Sequence, residues 1–308
     1  MNTKVEKDLR SRYPSVRAST AYDQSWTVTP DQMDKGLFDT SHVVRIAWIR
    51  RCRLEGYTPC HKRVLRGMRD VVEMVRFEWA KWIICGETDE QLEVGLRDAS
   101  ARIRRIYALR LPQVQLGQIV GTKAAYPTMI QFQRGLDDPD PDVRHTWSCN
   151  TYYRPTATQI EKGLTDRNDD VRSVWARRSD FTPSAQQMDR GLRDKKWLVR
   201  HFFASRKDFT PTPEQVERGL VDMDPLVRSA WAGRTDYVPT HEQVARGLAD
   251  PDPAVRMAFF RNDNVLPSIE QAHDGLKDED EGVRDACVRR MPRVLDVMLC
   301  EDSMTISL

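Results

Sequence analysis

Apolar and polar positions recur with one period along most of the chain. Each copy has apolar residues three before and one after a glycine, such as Met188 and Leu192 around Gly191, which lie one turn apart on one helix face. An arginine follows the glycine at nine residues, preceded by a β-branched residue. Twelve residues after the glycine is an aromatic residue, replaced only in the last copy by Cys287. The repeat glycines are Gly36, Gly67, Gly95, Gly135, Gly163, Gly191, Gly219, Gly247 and Gly275.

The last six glycines are separated by 28 residues each, and a fixed period of this kind is typical of stacked repeats. The segment before the glycine has the spacing of a capping box in eight copies, as in Thr212 and Gln215. A second helix is predicted to begin after an Asp-Pro turn such as Asp224-Pro225. Both helices are shorter than the ~12 to 15 residues that an isolated helix needs in water, so stacking must stabilise them. The sequence predicts an all-α, right-handed α-solenoid of about ten 28-residue helix pairs.

The spacing also divides the chain, and we number the repeats 1 to 9 by their glycines. Residues 1–28 read as a degenerate N-terminal capping repeat, 29–110 as repeats 1–3, 111–126 as an insertion, 127–292 as repeats 4–9, and 293–308 as a C-terminal tail. Insertions in repeat proteins emerge as loops on one side of the stack. We therefore expect the insertion to be a contact element.

Composition limits the classes of protein to consider. The 308 residues carry a formal net charge of +2, without an apolar run near the ~18 residues of a membrane span and without a secretory signal pattern at the N-terminus. Six cysteines show no CxxC pairing, which indicates a reducing compartment rather than a disulfide framework. We expect a cytoplasmic protein with no membrane association.

One motif carries a resemblance to a known family. Asp250-Pro251-Asp252-Pro253-Ala254-Val255-Arg256 resembles the Asp-x-Asp-Pro-x-Val-Arg motif of HEAT-like repeats, including their short bacterial forms, and weaker copies cover nearly the whole chain. The chain is also similar to the variant leucine-rich repeat, in which one helix of each pair is a 3₁₀ turn. The resemblance implies a scaffold or recognition surface rather than an enzyme. It leaves open whether the second helix is α or 3₁₀.

Features shared by all repeats are best explained by packing. The resemblance implies that the recurring aspartate and arginine link neighbouring repeats by hydrogen bonds. The aromatic residue shares a helix face with the β-branched residue, so we assign it to the core rather than to base stacking.

Positions that vary between repeats are better candidates for recognition. They lie seven, ten and fourteen residues after the glycine, on the predicted exposed side of the second helix. If this side lines the concave surface, as the resemblance to HEAT-like repeats implies, it is the expected recognition face. The candidates for contact with a partner protein are Arg50, Phe77, Lys81, Arg102, Arg105, His145, Arg177, His201 and Arg261.

A second candidate surface is the position just before the glycine, which is basic in seven repeats. This basic row is expected to be exposed because it points away from the apolar pair, and it could contact a nucleic-acid backbone. The net charge close to zero and the acidic turns in every repeat favour the other interpretation, a solvated face with local ion pairs. Its members are Lys35, Arg66, Arg134, Lys162, Arg190, Arg218 and Arg246.

Catalytic patterns are not evident in the sequence. It contains no HExxH, GxSxG, phosphate-binding glycine loop or zinc-spaced Cys/His cluster, so we assign no catalytic residue, metal or cofactor. The expected function is a non-enzymatic scaffold or adaptor that binds another protein. The alternative is a nucleic-acid-binding solenoid and, with less support, a protein like the HEAT-like DNA glycosylases.

Overall fold

The computed structural model describes residues 3–82, 88–110, 113–115, 118–120 and 127–305. Within them, twenty α-helices and two short strands form two compact units, Met1–Arg154 and Pro155–Leu308. The helices of the first unit are α1 (Thr3–Leu9), α2 (Pro14–Tyr22), α3 (Pro30–Leu37), α4 (His42–Leu54), α5 (His61–Met68), α6 (Glu73–Lys81), α7 (Asp89–Leu96), α8 (Ala101–Arg110), α9 (Met129–Leu136) and α10 (Pro141–Ser148). The helices of the second unit are α11 (Ala157–Leu164), α12 (Asp169–Arg177), α13 (Ala185–Gly191), α14 (Trp197–Ala204), α15 (Pro213–Leu220), α16 (Pro225–Ala232), α17 (His241–Leu248), α18 (Pro253–Arg261), α19 (Ile269–Leu276) and α20 (Glu281–Thr305).

The helices pack as consecutive pairs. Each odd-numbered first helix contacts the even-numbered second helix that follows it. Within each unit, every second helix also contacts the second helix of the next pair, from α2 to α10 and from α12 to α20. This arrangement confirms the predicted α-solenoid fold. It also answers the open question about helix type, because the second helix of every described pair is α-helical.

The predicted capping boxes start the first helices. In α15, Thr212 Oγ1 accepts from the Gln215 amide at 3.3 Å, while Gln215 Oε1 accepts from the Thr212 amide at 3.0 Å. Both bonds of the box form in all eight repeats that have this spacing. Repeat 2 differs, since Cys60 makes no side-chain cap bond at the start of α5.

At each repeat glycine, an aromatic ring packs directly against the first helix and leaves no room for a side chain. In repeats 1 to 8, a Cβ atom at the glycine would come closer than 3.0 Å to the ring twelve residues later, as with Gly219 and Trp231. These rings are buried, and Trp48, Trp79, Trp175 and Trp231 are among the largest fully buried side chains. In repeat 9, where Cys287 replaces the ring, Phe260 of repeat 8 fills the space against Gly275. The glycine therefore allows the close helix approach that the sequence predicted.

The segment predicted as an insertion contains the two strands. β1 (Gln113–Gln115) pairs antiparallel with β2 (Gln118–Val120), an element that the all-α prediction did not include. The rest of the predicted insertion, residues 111–112, 116–117 and 121–126, lies outside the described residues. Repeats 3 and 4 nevertheless remain stacked on each other, because Arg104 of α8 binds Asp138 at 2.7 Å and α8 packs against α10.

The described ends of the chain continue the stack. Helices α1 and α2 form a pair that contacts α3 and α4, and Arg17 of α2 bonds to Asp39 of repeat 1 at 2.7 Å. At the other end, α20 runs from repeat 9 into the segment predicted as a tail. None of the described helices combines the length and the apolar character needed to cross a lipid bilayer.

Candidate functional site

Many of the recurring charges connect neighbouring repeats. In repeat 6, the Arg200 guanidinium donates to both carboxylate oxygens of Asp222 in repeat 7, at 2.7 and 2.6 Å. A further bond of 2.8 Å runs from Arg200 to the carbonyl of Asp194 in its own repeat. Ion pairs of 2.6–2.8 Å join Arg17 and Asp39, Arg45 and Asp70, Arg76 and Asp98, Arg104 and Asp138, Arg172 and Asp194, Arg200 and Asp222, Arg228 and Asp250, and Arg256 and Asp278. This ladder stabilises the stack, in line with the structural interpretation of the pattern.

The basic row takes part in a second ladder along the first helices. Arg246 binds Glu217 of the preceding repeat at 2.6 Å, and Gln243, which caps α17 through its oxygen, donates its nitrogen to the same carboxylate. These hydrogen bonds, from Gln243 and then Arg246, hold the pKa of Glu217 below its usual range. The same type of ion pair joins Lys35 to Glu6, Arg134 to Glu93, Arg190 to Glu161, and Arg218 to Asp189.

The expectation of an exposed basic row is therefore only partly met. Lys35, Arg66, Lys162, Arg190 and Arg246 are exposed. Arg134 and Arg218 are half-buried, because each is drawn against the carboxylate of the preceding first helix. Much of the charge that could attract a nucleic-acid backbone is thus already neutralised within the fold.

A third ladder was missed by sequence reasoning. Arg234, buried in repeat 7, donates to the carbonyls of Ala204 and Arg206 at 2.6 Å each and to the carbonyl of Phe209 at 3.2 Å. These carbonyls lie at and beyond the end of α14, where helix carbonyl groups lack intrahelical partners. Residues that donate in this way to the preceding repeat include Arg51, Arg110, Arg206, Arg234, Asn262 and Arg290. The available signal was the Arg-x-Asp spacing three residues after the aromatic position, as in Arg234 and Asp236, whose side chains also pair at 2.5 Å.

One group of variable residues that belongs to none of these ladders lies close together in the first unit. The Arg102 guanidinium lies 3.5 Å from the centroid of the Phe77 ring, and the Lys81 ammonium lies 5.4 Å from it. The sequence placed Phe77 on the exposed side of its helix, and this was wrong, since the ring is only 7% exposed. The two cations cover it, so that a buried aromatic ring underlies an exposed positive surface.

These residues border an open groove on the second helices of repeats 2 to 4, which we call the α6–α8 groove. It has a volume of about 610 Å³. Its exposed apolar side chain is Leu109, and Arg105 reaches Asp142 across it at 3.7 Å. The lining residues are Phe77, Ser100, Ala101, Arg102, Arg105, Ile106, Leu109, Asp140 and Asp142.

A buried carboxylate on α6, next to Phe77 in the chain, gathers three cations. Glu78 of α6 is 1% exposed and stands where other repeats have small, apolar or Thr side chains. Arg50 binds it at 2.7 Å, with Arg53 at 3.7 Å and Lys81 at 3.8 Å. The hydrogen bonds that Arg50 donates to the Glu78 carboxylate raise the pKa of Arg50, which keeps that group charged. Three cations around one carboxylate leave this surface with an excess of positive charge.

The remaining candidates are not part of this group. His145 is half-buried on α10. Arg177 is exposed, 5.8 Å from the Phe202 ring centroid, beside a separate depression of about 500 Å³ in the second unit. His201 Nδ1 lies 3.0 Å from the Leu226 carbonyl, and Arg261 is exposed at the end of α18. The structure thus links Arg50, Phe77, Lys81 and Arg102 through these contacts and places Arg105 in the same groove as Phe77 and Arg102, whereas the other four candidates take part in none of these contacts.

Two observations concern groups that could perform chemistry. Burial raises the pKa of the Cys52 thiol to about 12, so this cysteine stays protonated at neutral pH. In the described part of the chain, no three His, Cys, Asp or Glu side chains are placed to hold a metal ion.

The fold and the groove together define a helical-repeat protein with a basic, aromatic-backed surface. No protein-family model matches the chain, and no curated protein is significantly similar to it. Among solved structures, the chain is similar to a leucine-rich repeat variant with a novel repetitive structural motif, at 22% identity and a TM-score of 0.49, over 82% of this chain and 88% of that one. It is also similar to YibA of E. coli, at 15% identity and a TM-score of 0.38, over 92% of this chain and 97% of that one.

Proposed function

We propose that the protein is a non-enzymatic scaffold that binds an acidic segment of a partner protein in the α6–α8 groove. The observation that carries this proposal is the placement of Phe77 beneath the cations of Arg102 and Lys81, beside the exposed Leu109. Arginine and aromatic residues are enriched in protein interfaces and among the residues that dominate binding energy.

The charge of the groove favours an acidic partner. Arg102 and Arg105 line the groove, and Lys81 lies against its Phe77 ring. Arg50 and Arg53 join Lys81 around Glu78 on the adjoining surface of α4 and α6, so five cations stand against the three carboxylates Glu78, Asp140 and Asp142. One of those carboxylates is buried, and Asp140 already caps α10 by accepting from two backbone amides. The exposed charge is therefore mainly positive, and a segment with carboxylates flanking an apolar side chain would complement it.

The nucleic-acid alternative rests on the basic row, and the ion pairs of Arg134, Arg190, Arg218 and Arg246 weaken it. A backbone contact at any of these positions would first have to displace a carboxylate. The α6–α8 groove has apolar contacts to offer in addition to charge, which suits a polypeptide better than a phosphate backbone.

Site-specific photo-crosslinking tests the proposal. A photoreactive phenylalanine analogue replaces Leu109 in the groove, and a matched control replaces Val221 in the second unit, because the two side chains are similarly exposed, at 54% and 52%. In extracts of the native organism, we expect position 109 to yield a discrete protein adduct that position 221 does not. The adduct should be lost when Arg102→Glu and Arg105→Glu are introduced.

Three outcomes would contradict the proposal. The first is no adduct at position 109, and the second is the same adducts at both positions. The third is an adduct that disappears after nuclease treatment, which would show that nucleic acid occupies the groove.

A further inference from the structure

Repeat 2 departs from the other repeats on its first helix. Where eight repeats have the capping glutamine, it has Arg63, and Cys60 stands at the capping position without a cap bond. Functional sites are where a chain is expected to break its own local rules.

Arg63 takes the carboxylate that another residue would otherwise bind. In the first-helix ladder, the acid two residues before one glycine pairs with the cation just before the next, as Asp189 does with Arg218. In repeat 1 that acid is Asp34, but Arg63 binds it and also donates to the Tyr57 hydroxyl at 3.2 Å. The ladder partner, Arg66, is thereby left without the carboxylate that its position normally has.

Arg66 stacks on an aromatic ring instead. Its guanidinium lies 4.2 Å from the centroid of Phe38, and it is exposed. Among the residues that the structure describes, neither Arg66 nor the neighbouring exposed Lys62 has a carboxylate partner. Both border a depression of about 460 Å³ lined by Asp34, Lys35, Phe38, Lys62, Arg63 and Arg66. Four of the six lining residues are cations.

We propose that this depression is a binding site for a phosphate monoester. Arg63 is neutralised by Asp34 and Lys35 is near Glu6 at 3.4 Å, so the uncompensated charge is that of Lys62 and Arg66. A phosphate monoester carries about −1.5 to −2 at neutral pH and has three acceptor oxygens, which matches two cations. The guanidinium of Arg66, which lies over the Phe38 ring, provides the planar pair of donors that suits phosphate.

The isolation of the site argues for a single group rather than a polymer. A nucleic-acid backbone needs a succession of free cations. The row beyond repeat 2 instead has Val94 in repeat 3 and the carboxylate-bound Arg134 in repeat 4. The source of the monoester, a phosphorylated side chain of a protein or a small phosphorylated compound, is decided by experiment.

The test is calorimetric titration of the full chain at low ionic strength with inorganic phosphate, with a phosphoserine peptide, and with the unphosphorylated peptide. We expect phosphate to bind and the unphosphorylated peptide not to bind. Tighter binding of the phosphopeptide than of phosphate identifies a protein source, and equal binding identifies a small compound. Lys62→Gln and Arg66→Gln should each weaken phosphate binding by about tenfold or more.

The matched control is Arg246→Gln, which alters the same repeat position where a carboxylate already occupies it. This variant should bind phosphate as the parent does. Because all three side chains are exposed, melting curves should show folded variants. The proposal is overturned if phosphate does not bind the full chain, if Arg66→Gln binds it as tightly as the parent, or if a single-stranded oligonucleotide binds at this site in preference to phosphate.

Discussion

Replacing Gly219 with alanine tests the packing on which the repeat depends. The new Cβ would lie closer than 3.0 Å to the indole of Trp231, and that ring is only 1% exposed. The ring therefore cannot swing into solvent without leaving the core. Either the two helices of repeat 7 separate or the indole shifts against repeats 6 and 8.

Two opposing terms set the size of the effect. Alanine is a better helix former than glycine by ~1 kcal/mol, which would stabilise α15. Overpacking a core costs ~1–3 kcal/mol, and full loss of a buried aromatic side chain costs ~3–5 kcal/mol. Because the contact is so close, we expect the upper part of the overpacking range and a net loss of ~2 kcal/mol. For a chain of 308 residues, a loss of this size corresponds to a fall in melting temperature of roughly 3 °C.

Thermal and urea unfolding followed by circular dichroism measure this loss. Gly233→Ala is the matched control in the same repeat, because a Cβ there meets only the Ser229 and Ala230 carbonyl oxygens, at 3.5 and 3.9 Å. It should change the free energy of unfolding by less than about 0.5 kcal/mol. In a Trp231→Ala background, Gly219→Ala should no longer destabilise the protein. If Gly219→Ala alone were neutral or stabilising, helix propensity would outweigh packing and the reasoning would be refuted.

Two further predictions concern the ladders. Hydrogen bonding from Arg134 lowers the pKa of Glu93 to about 2 from an ordinary 4.5, so its contribution to folding is complete above pH 4.5 and is lost as pH falls toward 2. Melting temperatures at about pH 6 and about pH 3 should therefore differ less in Glu93→Gln than in the parent, and equal differences would contradict the assignment. Arg234→Ala should destabilise the protein by ~2–4 kcal/mol in urea unfolding, because it leaves helix-end carbonyls unsatisfied. Arg234→Asn should cost less, since Asn262 makes the equivalent two carbonyl bonds at 2.7 Å each in the next repeat, and equal costs would show that those bonds do not matter.

The repeat fold could be predicted because local signals agree with each other. The capping pair Thr212 and Gln215, the glycine at 219 and the aromatic at 231 each have one physical role, and the structure shows each in that role. The strands β1 and β2 were not predicted, because the segment around them lacks the repeat pattern that guided the assignment.

Side-chain partners between repeats were harder to predict. Arg246 pairs with Glu217, which lies 29 residues earlier in the preceding repeat. The prediction of exposure considered only the helix that contains Arg246, so it could not identify this partner. The burial of Phe77 depends on Arg102 of the next repeat, which the pattern of α6 alone does not contain. The α6–α8 groove could therefore be predicted as a set of variable positions but not as a surface with its own charge balance.

The join between repeats 3 and 4 has a consequence for how this chain can change. Arg104 and Asp138 sit on either side of the extra segment, as do Glu93 and Arg134, and these contacts bind the two repeats whatever residues lie between them. The contacts that join repeats 3 and 4 therefore do not depend on the length or the composition of the segment between them. Natural selection or an engineer can exchange the segment for another loop or a short epitope while the neighbouring helices keep their positions.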